Sequence, residues 1–141
     1  MGWIITLVVL VILVMLALMG LQIENFQRDL TTNVGNTEET HTPGLSPLAL
    51  SISSHEVLER IISFVDAHPN WEWSETPRLD SNGCLFLNRR TRWLGFRDDI
   101  TVTVKSIGSG SQVHAKSKSR LGTGDLGQNP RNIRELFEGI R

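Results

Sequence analysis

A single cysteine, Cys84, is the whole thiol complement of the 141 residues. No intrachain disulfide and no thiol-rich metal site can form from it. Its neighbours Leu85-Phe86-Leu87 mark it as a small buried hydrophobe rather than a nucleophile. The four histidines, His41, His55, His68 and His114, fall at no helical or strand spacing that brings two onto one metal. No cofactor and no metal are expected. There is no internal repeat, no low-complexity tract, and no His, Cys or Ser arrangement with the makings of an activated nucleophile. No aromatic platform is interleaved among His114, Lys116, Lys118 and Arg120, which weighs against a nucleic-acid partner.

What is present is unevenly distributed. Trp3 to Leu21 is almost wholly apolar, interrupted only by Thr6 and Gly20. Nineteen helical residues reach about 28 Å, close to the hydrocarbon thickness of a bilayer. A cleaved signal peptide is the competing reading. It fits less well: no Lys or Arg precedes the run, no A-x-A site follows, and Gly20-Leu21-Gln22 offers no lipoprotein cysteine. A transmembrane anchor over 1–23 is therefore expected, with the bacterial inner membrane as its place. The flanks hold too few Lys/Arg to orient it; a short tail before the anchor leaves the following domain most simply on the periplasmic side. Charge is divided as sharply. Up to Asn82 ten acids face three arginines, whereas from Gly83 onward eleven Lys/Arg face five acids. The second half can thus meet an anionic partner, although the two halves can equally complement one another within one fold.

Residues 24–44 are polar, lack both periodicities and read as a linker or an irregular segment. The domain proper is expected over 45–141. Leu45, Leu48, Leu50 and Ile52 alternate as a first short strand. Ser53 and Glu56 have capping-box spacing for a helix whose face is Val57, Leu58, Ile61, Ile62 and Val65 and which Pro69 ends. Trp71-Glu72-Trp73 opens the sheet, a turn at Asp80-Ser81-Asn82-Gly83 leads to Cys84–Leu87, and strand character extends toward Trp93. Leu94 to Asp99 then precede an alternating strand of Ile100, Val102 and Val104, and Gly108–Ser111 makes a hairpin loop. The next strand puts Val113, Ala115, Ser117 and Ser119 on one face and His114, Lys116, Lys118 and Arg120 on the other. Asn129 as cap and Pro130 at the first position start a last helix with the stripe Ile133, Leu136, Phe137, Ile140. The whole predicts an α+β fold: an antiparallel sheet with two helices packed on one face.

Several of these motifs together resemble a bacterial family known only as domain-of-unknown-function family 1499. They are Thr91-Arg92, Gly95-Phe96 with Asp98-Asp99, and the run Ser117, Ser119-Arg120, Gly122, Asp125-Leu126-Gly127, Asn129, Arg131, Ile133-Arg134, with Pro47-Leu48 and Trp71-Glu72 in support. The resemblance covers Asp29 to Arg141. It implies a small, often membrane-anchored α+β domain without an established activity. Some relatives carry a Cys-Pro and Asn-Cys pair before the first strand; Thr31-Thr32-Asn33 has no cysteine there, so no thiol role carries over.

Three constellations bear on function. Asp98, Asp99 and Asp125 would form a carboxylate cluster for a divalent cation or for hydrolysis if they converged, but neighbours on a strand point to opposite faces. Pairing of a turn acid with Arg120 or Arg97 is the plainer reading. Gly122-x-Gly124-x-x-Gly127 has the letters of a dinucleotide fingerprint without the βαβ crossover. A looser anion site with Arg120 and Arg131 beside the helix start competes there with a backbone that simply needs positive φ. The basic face of His114, Lys116, Lys118 and Arg120, extended by Arg89, Arg90, Arg92 and Arg97, would suit a membrane protein, an anionic lipid or an envelope polymer. The expectation is a non-catalytic binding or assembly module at the cell envelope, with Asp98, Asp99, Lys116, Lys118, Arg120, Asp125, Asn129 and Arg131 as its motif. A hydrolase or metal-dependent enzyme using the three aspartates is the alternative.

Overall fold

The computed structural model describes residues 2–21, 23–38, 42, 44–76, 83–91 and 95–141, with Met19 by its backbone alone. The expected turn at Asp80–Asn82 and the extension through Arg92, Trp93 and Leu94 lie outside the described residues.

Helix α1 (Gly2–Gly20) is apolar all round and its described side chains are exposed. Among the described residues no helix is long and apolar enough to cross a membrane. The anchor expected over 1–23 is therefore not shown.

The remainder is an antiparallel sheet with helices. Strands β3 (Trp71–Trp73), β4 (Cys84–Arg90), β5 (Arg97–Ile107) and β6 (Gly110–Ser119) form a meander. The turn between β5 and β6 is tighter than expected, with Ile107 opposite Gly110. The far edge of β6 is closed by two short strands in tandem. β1 (Val34–Asn36) pairs with Lys116–Lys118, and β2 (Leu48–Leu50) pairs with Ser111–Val113. The polar stretch 24–44 is thus no irregular linker. It supplies α2 (Phe26–Thr31) and β1, and Thr37 extends the pairing by exchanging backbone and side-chain hydrogen bonds with Ala115. Periodicity missed it because its buried residues are polar: Asp29, Asn36, Thr37 and Thr42.

α3 (Ser54–Ala67) starts where expected, with the Ser53 hydroxyl accepting from the Glu56 amide at 3.2 Å, and is capped at His68 just before Pro69. α4 (Gln128–Gly139) lays Ile133, Leu136 and Phe137 onto the same core, which Ile140 closes. Both helices pack on the face that carries Leu85, Leu87, Ile100, Val102, Val113 and Ala115. Each of the leucine, isoleucine and valine side chains, withdrawn from water, contributes about 1.5–3 kcal/mol, the term that offsets the ordering of the chain. One sheet face is covered. Among the described residues, no helix lies on the other.

Candidate functional site

The core does not stay apolar along the whole sheet. Toward the start of β5 and the end of β6 its inward positions are Asp98, Ser117 and Ser119, and the first turns of α4 bring Asn129 and Asn132 down onto them. Asp98 is 1% exposed, and Ser117, Asn129 and Asn132 are fully buried. Ser119 Oγ donates to Asp98 Oδ1 at 2.7 Å, and Asn132 Nδ2 donates to Asp98 Oδ2 at 2.8 Å and to Ser117 Oγ at 3.1 Å. Ser117 Oγ donates to Asn129 Oδ1 at 2.6 Å. Asn129 Nδ2 shares its hydrogens among Asn33 O at 2.7 Å, Asp125 Oδ2 at 2.5 Å and Ser119 Oγ at 3.0 Å. Gln128 Nε2 closes the rim on Asn132 Oδ1 at 2.6 Å. Every polar side chain of this knot has a partner, the condition for a buried network to stabilise rather than cost.

Asn129 is therefore not the cap of α4. The helix begins two residues earlier than expected, behind Gly127 at φ 75°, and its free amides turn to Asp125, whose carboxylate accepts from Gly127 N at 2.8 Å and Asn129 N at 2.9 Å. Asn129 is drawn inward by Ser117 and Asn33 instead. Pro130 sits in the first turn, where no intrahelical donor is needed. The glycines of this corner have different uses. Gly122 and Gly127 take positive φ, as does Leu126 at 53° between Asp125 and Gly127. Gly124 has no such φ; a Cβ there would collide with the carbonyl of Leu30. A non-glycine residue in the left-handed region costs on the order of 1 kcal/mol or more. Leu126 is held there by its N–H on Asp29 O at 2.9 Å and by Arg131 Nη1 on its own carbonyl at 3.0 Å.

Asp29 is the residue that sequence reasoning missed. It is fully buried beneath the corner, ion-paired with Arg28, and its Oδ2 accepts the amides of Glu24 at 3.0 Å and Asn25 at 3.1 Å. Burial pushes its carboxyl up, but the amides of Asn25 and Glu24 with the Arg28 guanidinium outweigh that and hold it below the usual carboxylate range. The one sequence signal was Asn25, whose side chain caps α2 by accepting from Arg28 N at 3.0 Å. Arg131 lies half-buried alongside. Burial draws its guanidinium below the ordinary value, against the pull of Asp125, Glu24 and Asp29. With Arg89, Gln128, Arg134, Glu135 and Glu138 it lines an open depression, across which Arg89 reaches Glu135 at 3.0 Å.

The aspartates do not converge. Asp98 faces inward into the knot, and Asp99, the next residue, faces out. There it meets Arg120, whose Nε lies 3.0 Å from each carboxylate oxygen and whose Nη2 lies 2.6 Å from Oδ1. Both acids lie within β5, not before it. Asp125 caps α4. Among the described residues no three His, Cys, Asp or Glu side chains gather closely enough to hold a metal ion.

The uncovered face carries the charge. Strand alternation places His114, Lys116, Lys118 and Arg120 outward along β6, with Arg97 and Lys105 on β5 and Arg90 on β4. Arg89 is an exception to the expected patch. It turns to the covered face, 6.0 Å above the Trp71 ring and paired with Glu135. Arg90 and Arg97 share Glu72, and Lys105 lies 3.7 Å from Glu38. His114 stands 3.3 Å from Glu38. Burial and Lys105 lower its pKa from the ordinary value, with Glu38 opposing them. Lys116 and Lys118 are exposed and make no ion pair among the described residues.

Fold and site together define a small α+β domain with a half-covered antiparallel sheet and a polar knot under its last helix. The chain belongs to the family described as protein of unknown function DUF1499, whose profile matches residues 25–140. That range begins just ahead of α2, in agreement with α2 and β1 belonging to the folded unit. No match is found among curated proteins.

Proposed function

We propose that this protein is a membrane-tethered binding or assembly module of the bacterial envelope, whose uncovered sheet face takes an anionic partner. The observation that carries the reading is the pair Lys116 and Lys118, exposed two apart on one strand of a helix-free face and in no ion pair among the described residues, the acid opposite Lys118, Asp99, being taken by Arg120. Around them the four cations Arg90, Arg97, Lys105 and Arg120 meet three acids, Glu72, Glu38 and Asp99, so with the two lysines the face keeps a positive excess. Such a field steers an acidic surface into place and fades as salt screens it. The partner is a membrane protein, an anionic lipid or an envelope polymer of negative charge.

In the same proposal α1 is the tether, a single pass through the inner membrane with the domain in the periplasm. Its apolar side chains point into open surroundings on every side, an arrangement that water penalises and a bilayer relieves. A hydrolytic role for Asp98, Asp99 and Asp125 has less support, since each is already engaged by donors of the protein and Asp98 and Asp99 face opposite ways.

The test is crosslinking of the full chain in its membrane, from a photoreactive side chain at Thr101 opposite Lys116, at graded salt, for the parent and for Lys116→Glu with Lys118→Glu. Both positions are on the surface, so the fold should survive, as circular dichroism would record. The expected result is a salt-sensitive adduct in the parent and its loss in the double variant, while both stay in the membrane fraction. Equal adduct from both would overturn the reading.

A further inference from the structure

Beyond α1 and Leu21, the exposed large hydrophobics among the described residues are Phe26, Leu30, Phe86, Phe96, Ile107 and Leu121. Their placement is not even. Phe96 immediately precedes β5 and Leu121 follows β6 by two residues. The register Asp98 opposite Ser119 puts both at one end of the sheet, where Arg120 N donates to Arg97 O at 3.1 Å. β1 enters at that same end, with Val34 opposite Lys118. Just before it, Asn33 Nδ2 donates to Gly122 O at 2.8 Å, tying α2 to the loop that bears Leu121. Phe26 and Leu30 are four apart on α2 and therefore share a helix face. Four of the six thus gather at one end, whereas Ile107 marks the opposite tip and Phe86 the middle of the sheet.

The chain from α1 arrives at this end as well. The Ile23 amide turns back onto Gly20 O at 3.2 Å, and the Glu24 and Asn25 amides are fixed on Asp29. Even fully extended, the connection from Gly20 to Phe26 would reach no more than about 22 Å. Arg97 and Arg120 stand beside Phe96 and Leu121 in sequence, so apolar and cationic side chains alternate along this rim. Apolar groups that enter the acyl boundary beside guanidiniums at phosphate depth are the chemistry of a lipid interface.

We infer that the domain seats on the bilayer surface by this end, with Phe26, Leu30, Phe96 and Leu121 entering the interface and Arg97 and Arg120, together with their acids Glu72 and Asp99, at headgroup depth. The inference rests on α1 being the bilayer tether. The sheet then stands with its β5–β6 hairpin pointing away from the membrane and its basic face turned sideways, open to a partner.

The test uses the full chain with Cys84→Ser, carrying one environment-sensitive fluorophore at Val11→Cys, Leu121→Cys or Ile107→Cys. Each is reconstituted in vesicles of phosphatidylcholine and phosphatidylglycerol that bear nitroxides either at headgroup depth or in mid-chain. Expected is mid-chain quenching at position 11 and headgroup-depth quenching at position 121 several-fold above that at position 107. Quenching at 121 no greater than at 107, with position 11 still in hydrocarbon, overturns the seating and leaves the tether standing. No mid-chain quenching at 11 overturns the tether, and headgroup quenching at 121 then still supports a seated domain. Protection of 121 in native membranes but not in protein-free vesicles also overturns the inference, because a protein would then cover that end. Unaltered circular dichroism certifies each labelled variant as folded.

Discussion

Asn129 is bonded on every side: its carbonyl accepts from Ser117, its amide group serves Asn33, Asp125 and Ser119, and its backbone N–H rests on Asp125. An alanine there would leave buried donors and acceptors without partners, each costing about 1–3 kcal/mol. Asn129→Ala is expected to lower the unfolding free energy by on the order of 3 kcal/mol, measured by urea denaturation. A loss within a few tenths would mean that water replaces the side chain. His114 makes a second residue-level case. Its folded pKa lies below 6.5, so the unfolded chain binds more protons just below that value, and stability is complete above it and declines as pH falls through the window beneath. His114→Gln should flatten the fall in stability between neutral and mildly acidic pH. An unchanged slope would assign that fall to other groups; Asp29, also lowered, acts only below its ordinary 3.8. Of these residues Asn129 was legible only as a motif letter. The reading of Asn-Pro as a cap failed because a cap needs a side chain free to fold back, and this one is held inside.

Strands were the most legible elements. Period-two alternation in β5 and β6 sorted Lys116 and Lys118 outward and Val113, Ala115 and Ser117 inward, and nothing in the packing overrides it. The same rule separated Asp98 from Asp99. The apolar stripes of α3 and α4 were equally plain. α2 and β1 escaped notice because they are short and bury polar side chains, so neither hydrophobic period appears. A glycine shows how closely these elements fit. A Cβ on Gly35 of β1 would lie 2.9 Å from Pro130 N and 3.0 Å from Asn129 C, so the first turn of α4 rests directly on the strand. Backbone on both sides leaves little to yield. Gly35→Ala is expected to cost about 1–3 kcal/mol, the range for overpacking, and to loosen Asn33 from Asn129. Faster hydrogen exchange at the Thr37 and Ser119 amides would report it; unaltered exchange would show that β1 can move aside.

For the molecule as a whole, the acidic first half and basic second half do not simply neutralise each other. Glu24 binds Arg134, Glu72 binds Arg90 and Arg97, and Glu38 meets Lys105, yet among the described residues Lys116 and Lys118 form no ion pair, since Asp99, opposite Lys118, is taken by Arg120. The split is thus self-complementary in part, and the unpaired lysines are what the proposed anionic partner would meet. Composition reveals a charge split, but only strand pairing reveals where complementarity stops.

The tandem closure of β6 has a consequence for how the chain comes into being. β5 and β6 are neighbours joined by a two-residue turn, and β4 lies close to β5 in sequence, contacts that are quick to make because little chain must be enclosed. β1 is translated long before Lys116–Lys118, and the knot that fastens it requires Asn129 and Asn132 from the last helix. The stretch nearest α1 must therefore wait, with its strand unpaired, until almost the whole chain has been made. It is the earliest segment of the domain to leave the ribosome, and it cannot be fastened until the last helix has been made.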